Sequence, residues 1–129
     1  MADLQRNKAI VEEFVTTIVN EGDPQRAADL HMGDRYVQHD HGVADGKQAF
    51  VEFLSGWAER MPEQRIEIKR MIAEDDLVAV HFHLQEKPGD PGTAAIDIFR
   101  LENEKIVEHW TVHMPVPTEG DPVNQNTVF

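Results

Sequence analysis

Residues 93–114, TAAIDIFRLENEKIVEHWTVHM, read as two strands joined by a tight turn. Residues 95–101 are rich in β-branched and aromatic side chains, Glu102-Asn103-Glu104 breaks the run, and residues 105–114 resume it. Asp97 is the anomaly, since it interrupts an apolar strand between Ile96 and Ile98. A carboxylate taken out of water without a partner is costly, so Asp97 faces solvent, is held by backbone amides, or has side-chain partners. The second strand offers such partners. Alternation puts His109, Thr111 and His113 on one face and Trp110 on the other, as core or as part of a dimer interface.

Register decides whether these groups meet. A strict two-residue turn at Asn103-Glu104 pairs Asp97 with Trp110, whereas a three-residue, bulged turn pairs it with His109. The usual turn glycine is absent, and Glu104 stands in its place. The bulged register is the expectation, on grounds given below.

The rest of the chain sets bounds. Its 129 residues suffice for one domain, expected over 1–129 with 115–129 as an extended C-terminal arm. There is no Cys, which excludes disulfides and thiolate metal sites. No apolar run reaches membrane-spanning length and the first residues lack a signal pattern, so a cytoplasmic location is expected. Twenty-four acidic against 12 basic residues give a net charge of −12, which argues against nucleic acid and anionic membranes as partners. The seven His cluster in pairs: His39/His41, His81/His83 and His109/His113.

Residues 4–20 suggest an amphipathic helix, with Ile10, Val11, Phe14 and Ile18 on its stripe and Glu12, Glu13 and Thr17 off it. Asp23-Pro24 opens a short second helix to about His31, which Gly33-Asp34 ends. A short strand at Tyr36-Val37-Gln38-His39 follows. Asp45-Gly46-Lys47-Gln48 has the spacing of a capping box before a third helix, whose stripe is Phe50, Phe53, Leu54, Trp57 and Met61. That stripe is core by default, although Trp57 could line a cavity. Four strands then complete the chain, with Val78, Val80, Phe82 and Leu84 on one face of the second and Ala79, His81 and His83 on the other. Phe129 is expected to anchor the arm on an apolar surface or on a second subunit. Three helices followed by antiparallel strands make an α+β layout, and a bent sheet over the helices would enclose a pocket.

Tyr36-Val37-Gln38-His39, Asp45-Gly46-Lys47, Asp97-Ile98-Phe99-Arg100, residues 105–110, Pro115-Val116-Pro117 and Asn124-Gln125-Asn126 together resemble the SnoaL-like branch of the NTF2-like superfamily. The resemblance implies a cone-like fold: a curved, mainly antiparallel sheet packed on three N-terminal helices around a pocket. It also implies a homodimer, a small-molecule ligand, and neither cofactor nor metal. Within this superfamily, ketosteroid isomerase carries a strand similar to 97–100. Its Asp points into the pocket, stays protonated and donates to an oxyanion, while alternate residues of the next strand line the same pocket. That analogy is the ground for the bulged register. The position of the isomerase's general base corresponds to His39, or second to Asp40. Its helix-one Tyr has no counterpart near Phe14-Val15, so steroid isomerisation is not implied. Thr111 stands where the polyketide cyclases commonly carry an acid/base Asp, and a threonine hydroxyl does not transfer protons near neutral pH.

The leading functional expectation is cofactor-independent acid–base chemistry, of lyase, isomerase or cyclase type, on a small carbonyl compound. Imidazole ordinarily titrates near pH ~6.5, which suits neutral-pH proton transfer. His39 would be the base, Asp97 with His109 would orient it or hold an enolate oxygen, and His81 would be a second donor. Tyr36, Trp57, Phe99, Thr111 and His113 would contact substrate. His41 and His83 are expected to be solvent-facing or structurally satisfied. Two alternatives stay open: a metal site built from His81, His83, His109, His113 and Asp97, and a binding module without catalysis.

Overall fold

The computed structural model describes residues 2–129. Three helices, α1 (Leu4–Val19), α2 (Pro24–His31) and α3 (Lys47–Arg60), pack against five strands: β1 (Met32–Gln38), β2 (Arg65–Glu74), β3 (Leu77–Gln85), β4 (Thr93–Glu102) and β5 (Lys105–Pro115). The sheet order is β1-β5-β4-β3-β2. Strand β1 runs parallel to β5, and every other pairing is antiparallel. This is the expected α+β cone, a curved sheet over three helices.

Local chemistry sets the helix ends. Asp3 and Asp23 each accept a hydrogen bond from the amide three residues on, at 2.9 and 3.0 Å, which satisfies donors the first turn would leave orphaned. Pro24 occupies the first turn of α2, where its missing N–H costs nothing. The α1 stripe is buried as expected, but Thr17, expected off it, is buried too. Asn20 then clips the helix to the sheet: its side chain accepts from Ile66 N at 2.8 Å and donates to Ile66 O at 3.2 Å.

Two helix-boundary expectations fail. Gly33-Asp34 is not a break between elements, because β1 begins directly at Met32. A Cβ on Gly33 would lie 2.9 Å from Val107 Cγ1, so the glycine lets β1 close on β5. The capping box at 45–48 does not form either. Gly46 is the N-cap of α3, and Asp45 instead accepts from Gln38 N at 2.7 Å, tying the loop to β1. On α3 only Phe50 is buried; Leu54 and Trp57 are half-buried and Phe53 is exposed, because this helix roofs a cavity and not a filled core.

The β4–β5 hairpin takes neither expected register. Its turn is the two-residue kind, with Glu102 opposite Lys105 and Asn103 and Glu104 at φ of 49° and 65°. After Leu101 pairs with Ile106, Arg100 pairs with Glu108, leaving Val107 as an extra residue on β5. Asp97 therefore stands opposite Thr111, not Trp110 or His109. The cause lies in burial. Ile106 and His109 are both buried, yet strict alternation would send residues three apart to opposite faces. The bulge at Val107 turns both inward.

The C-terminal arm has no helix or strand beyond Pro115. The expected apolar anchor for Phe129 is replaced by a polar one. The Phe129 ring packs 4.6 Å from the His83 ring and 5.0 Å from Lys69 Nζ, while Arg70 Nη2 donates to the Phe129 main-chain oxygen at 2.6 Å.

Glu104 holds a left-handed conformation without being glycine, a strain on the order of 1 kcal/mol. Its exposed ion pair with Arg6 returns little of that. The variant Glu104→Gly is expected to gain up to about 1 kcal/mol in urea unfolding, since Asn-Gly is the preferred sequence for this turn. A loss of stability would show that the Arg6 contact governs the turn.

Candidate active site

The concave face of the sheet and the helices α1 and α3 bound a cavity of about 480 Å³. Most of its wall is apolar: Phe14, Ile18, Leu54, Trp57, Phe82 and Phe99 are among its lining. Polar groups concentrate where β1, β5 and β4 lie side by side. There Asp97, His109, Thr111 and Gln38 form one hydrogen-bonded set.

The distances define that set. Thr111 Oγ1 donates to Asp97 Oδ1 at 2.6 Å, and His109 Nε2 lies 3.0 Å from Asp97 Oδ2. On its other edge, His109 Nδ1 lies 2.8 Å from Gln38 Oε1. The His109 ring also stacks on Phe99, with centroids 4.9 Å apart. His109 and Asp97 side chains are only 10% and 15% exposed, so this is a largely dry polar cluster in which both Asp97 oxygens and both His109 nitrogens have partners. The bulge makes this possible: Thr111 sits directly opposite Asp97, and His109 reaches it from the diagonal position on the same face.

Of the nine residues expected to form the site, Asp97, His109, Trp57, Phe99, Thr111 and His113 line the cavity. His113 is exposed on β5, at the cavity rim. Tyr36 is buried behind the site, 5.3 Å from the Phe50 ring, and its hydroxyl has no hydrogen-bond partner. Burial first, then the charges of Asp97 and Asp40, push its phenol well above the ordinary value.

The expected convergence of His39 and His81 on this pocket does not occur. His39 turns to the outer face of the sheet, where its ring stacks on Trp110 at 4.7 Å and its Nε2 lies 2.7 Å from Glu108 Oε2. Trp110 is on the face opposite His109, as alternation predicted. His81 pairs with Ile96 on that same outer face and contacts Arg70. His83 is held there by Pro91 O at 2.8 Å, and His41 is exposed. The sheet thus separates His81 and His83 from Asp97, His109 and His113. Among the described residues no group of three or more His, Asp and Glu has the geometry to hold a metal ion.

Comparison with known proteins accords with the fold. The model of the SnoaL-like domain matches residues 11–109. The chain belongs to the SnoaL-like family. No curated protein matches it by sequence. Solved structures with the same fold include TsrD from Streptomyces laurentii (21% identity over 88% of this chain and 91% of that one, TM-score 0.71). A candidate polyketide cyclase from Acidithiobacillus ferrooxidans aligns at 16% identity over 88% of this chain and 91% of its own, with a TM-score of 0.70. An LEH-like epoxide hydrolase from M. tuberculosis aligns at 17% identity, covering 85% and 84% of the two chains, with a TM-score of 0.67.

Sequence reasoning missed Gln38 in this SnoaL-like chain. The signal was present: Tyr36 and Gln38 are two apart on one strand, so a buried Tyr36 implies an inward Gln38 and an outward His39. Naming Tyr36 and His39 together broke that rule. Asp40, just past β1, also lines the cavity.

The outer-face network carries a pH signature. The His39 hydrogen bond first, and the Arg100 Nε bond at 2.8 Å second, hold the Glu108 carboxyl below its ordinary value of 4.5. A depressed carboxylate stabilises the fold above its unfolded value, and that contribution is lost as pH falls through the folded value. Glu108→Gln is therefore expected to lower the urea midpoint at neutral pH and to converge with wild type in acid below the ordinary glutamate range. A gap that stays constant with pH would show that packing, not charge, carries the effect.

Proposed function

We propose that this protein is a cofactor-independent acid–base enzyme, of lyase, isomerase or cyclase type, acting on a small neutral carbonyl compound. The observation that carries the reading is the Asp97–His109 pair, 3.0 Å apart and little exposed, at the polar end of an otherwise apolar cavity. In a water-poor site, a hydrogen-bonded acid–base pair stabilises charge that develops on a substrate oxygen. Asp97 and His109 meet the carbonyl oxygen. Asp40, which lines the same cavity, takes the proton from the adjacent carbon. The electron pair of the broken C–H bond moves to the carbonyl oxygen, and return of a proton completes the exchange. Thr111 positions Asp97, while Trp57, Phe99 and His113 contact the substrate. His39 and His81 take no part, since neither faces the cavity.

The charge of the lining supports a neutral substrate. Asp40 and Glu86 line the cavity besides the Asp97–His109 pair, and among the described residues no Lys or Arg does. A carboxylate or phosphate ester would meet repulsion with no cation to offset it.

The test is deuterium exchange. A panel of small cyclic and aromatic ketones incubated with the protein in D2O should show enzyme-dependent loss of α-proton NMR signals. Asp97→Asn should slow that exchange by ~10²- to 10⁴-fold while the melting temperature stays within a few degrees. Saturable binding with no exchange in the wild type would instead favour a ligand-binding module.

We further infer a homodimer built on the outer face of the sheet. Ile72, Ile96, Val112 and Met114 are 65%, 47%, 77% and 46% exposed on that face, an apolar surface that water would otherwise cover. Strands β2, β4 and β5 carry it, and a second copy related by a two-fold axis would present the same residues in return. Sedimentation should report a dimer at micromolar concentration, and Val112→Lys should convert it to monomer. A wild-type monomer at that concentration would overturn this assembly.

A further inference from the structure

The amide of Gln38 settles a question of proton inventory in the site. Its Oε1 lies 3.0 Å from the backbone N of Asp40 and 2.8 Å from His109 Nδ1. A backbone N–H can only donate, so the amide atom facing it must be the oxygen. The same oxygen can only accept from His109, so Nδ1 must carry a proton. His109 then turns Nε2 toward Asp97 Oδ2 at 3.0 Å. A bare imidazole nitrogen facing a bare carboxylate oxygen would set two lone pairs against each other. One further proton must lie between them, on Nε2 or on Oδ2. The other oxygen, Oδ1, is already satisfied by the Thr111 hydroxyl at 2.6 Å.

We propose that Gln38 is a positioning residue that fixes the tautomer of His109, so that the Asp97–His109 pair rests at neutral pH holding one shared proton. The pair is then net neutral and loaded as an acid. Its first act is to donate a hydrogen bond or proton to a substrate oxygen, not to abstract one from carbon. This sharpens the acid–base reading above and rests on it for its catalytic consequence, but not for its test.

Removing the shared proton is opposed from both sides. Loss from Nε2 sets Asp97 against a lone pair, and loss from Nδ1 does the same to Gln38. Without an acceptor at position 38 the ring is free to move its proton to Nε2 and donate to an ionised Asp97 as a neutral imidazole. The other titratable groups around the cavity are Asp40 after β1, Glu86 after β3, His113 on β5 and, behind them, Tyr36 on β1. The lining contributed by α1, α3 and β2 carries no titratable group.

The experiment is long-range 1H–15N NMR of the imidazoles in the full chain labelled with 15N, with His109 assigned from the signal lost in His109→Asn. In the wild type at neutral pH, Nδ1 of His109 is expected to show a protonated-type shift. In Gln38→Met, nearly isosteric and a poor acceptor, the neutral ring is expected as the Nε2–H tautomer. Gln38→Glu keeps an acceptor and should retain the protonated Nδ1. An unprotonated Nδ1 in the wild type overturns the proposal, even if Gln38→Met fails to fold, and so does an unchanged tautomer in a folded Gln38→Met. Turnover separates the two readings. Tautomer control without deuterium exchange in the wild type would sink the enzyme and leave the lock. Where exchange is present, Gln38→Met should slow it by roughly 10²-fold.

Discussion

One extra residue in β5 governs the inner face of this protein. Ile106 must fill the core and His109 must reach Asp97, yet they are three positions apart on a strand whose side chains alternate. Val107, bulged between them, resolves the conflict by letting both point inward. The consequences spread along the sheet. Asp97 comes to face Thr111 across the ladder, Trp110 is directed outward, and β1 docks in parallel beside the bulge through the glycine at position 33. A ladder without the bulge would bury Glu108 and expose His109.

The sheet that results is a divider as much as a scaffold. Its concave side gathers Gln38, Asp97, His109 and Thr111 into a satisfied polar cluster at one end of an apolar cavity. A lone carboxylate there would be expensive, and hydrogen bonds from neighbouring strands offset the cost. The convex side holds a different set: His39 over Trp110, the Glu108 bonds to His39 and Arg100, and the arm whose Phe129 lies against His83. Histidines that cluster in the sequence are sorted by this surface into two populations with separate environments.

Alternation made some of this legible and concealed the rest. It correctly assigned His109, Thr111 and His113 to one face and Trp110 to the other, because those residues lie beyond the bulge, where the period of two is unbroken. Applied to β1 from Tyr36, it would also have found Gln38. It could not locate the bulge, because Ile106 and Val107 are both apolar and either could have faced the core. Family resemblance supplied the right face for Asp97 through an incorrect pairing, since the register it suggested and the observed one differ by two residues and share parity.

By itself the sequence determined the element types, the Asp23-Pro24 start of α2, the α+β order and the presence of a carboxylate that needed partners. These are local matters, set by side-chain period, turn residues and the cost of burying charge. Tertiary structure alone decided which partners Asp97 has, that Asp45 ties a loop and does not cap a helix, and that the α3 stripe roofs a cavity. Each depends on where a distant strand or helix lies in space. A shift of one residue in register reverses every face, and no local pattern records it.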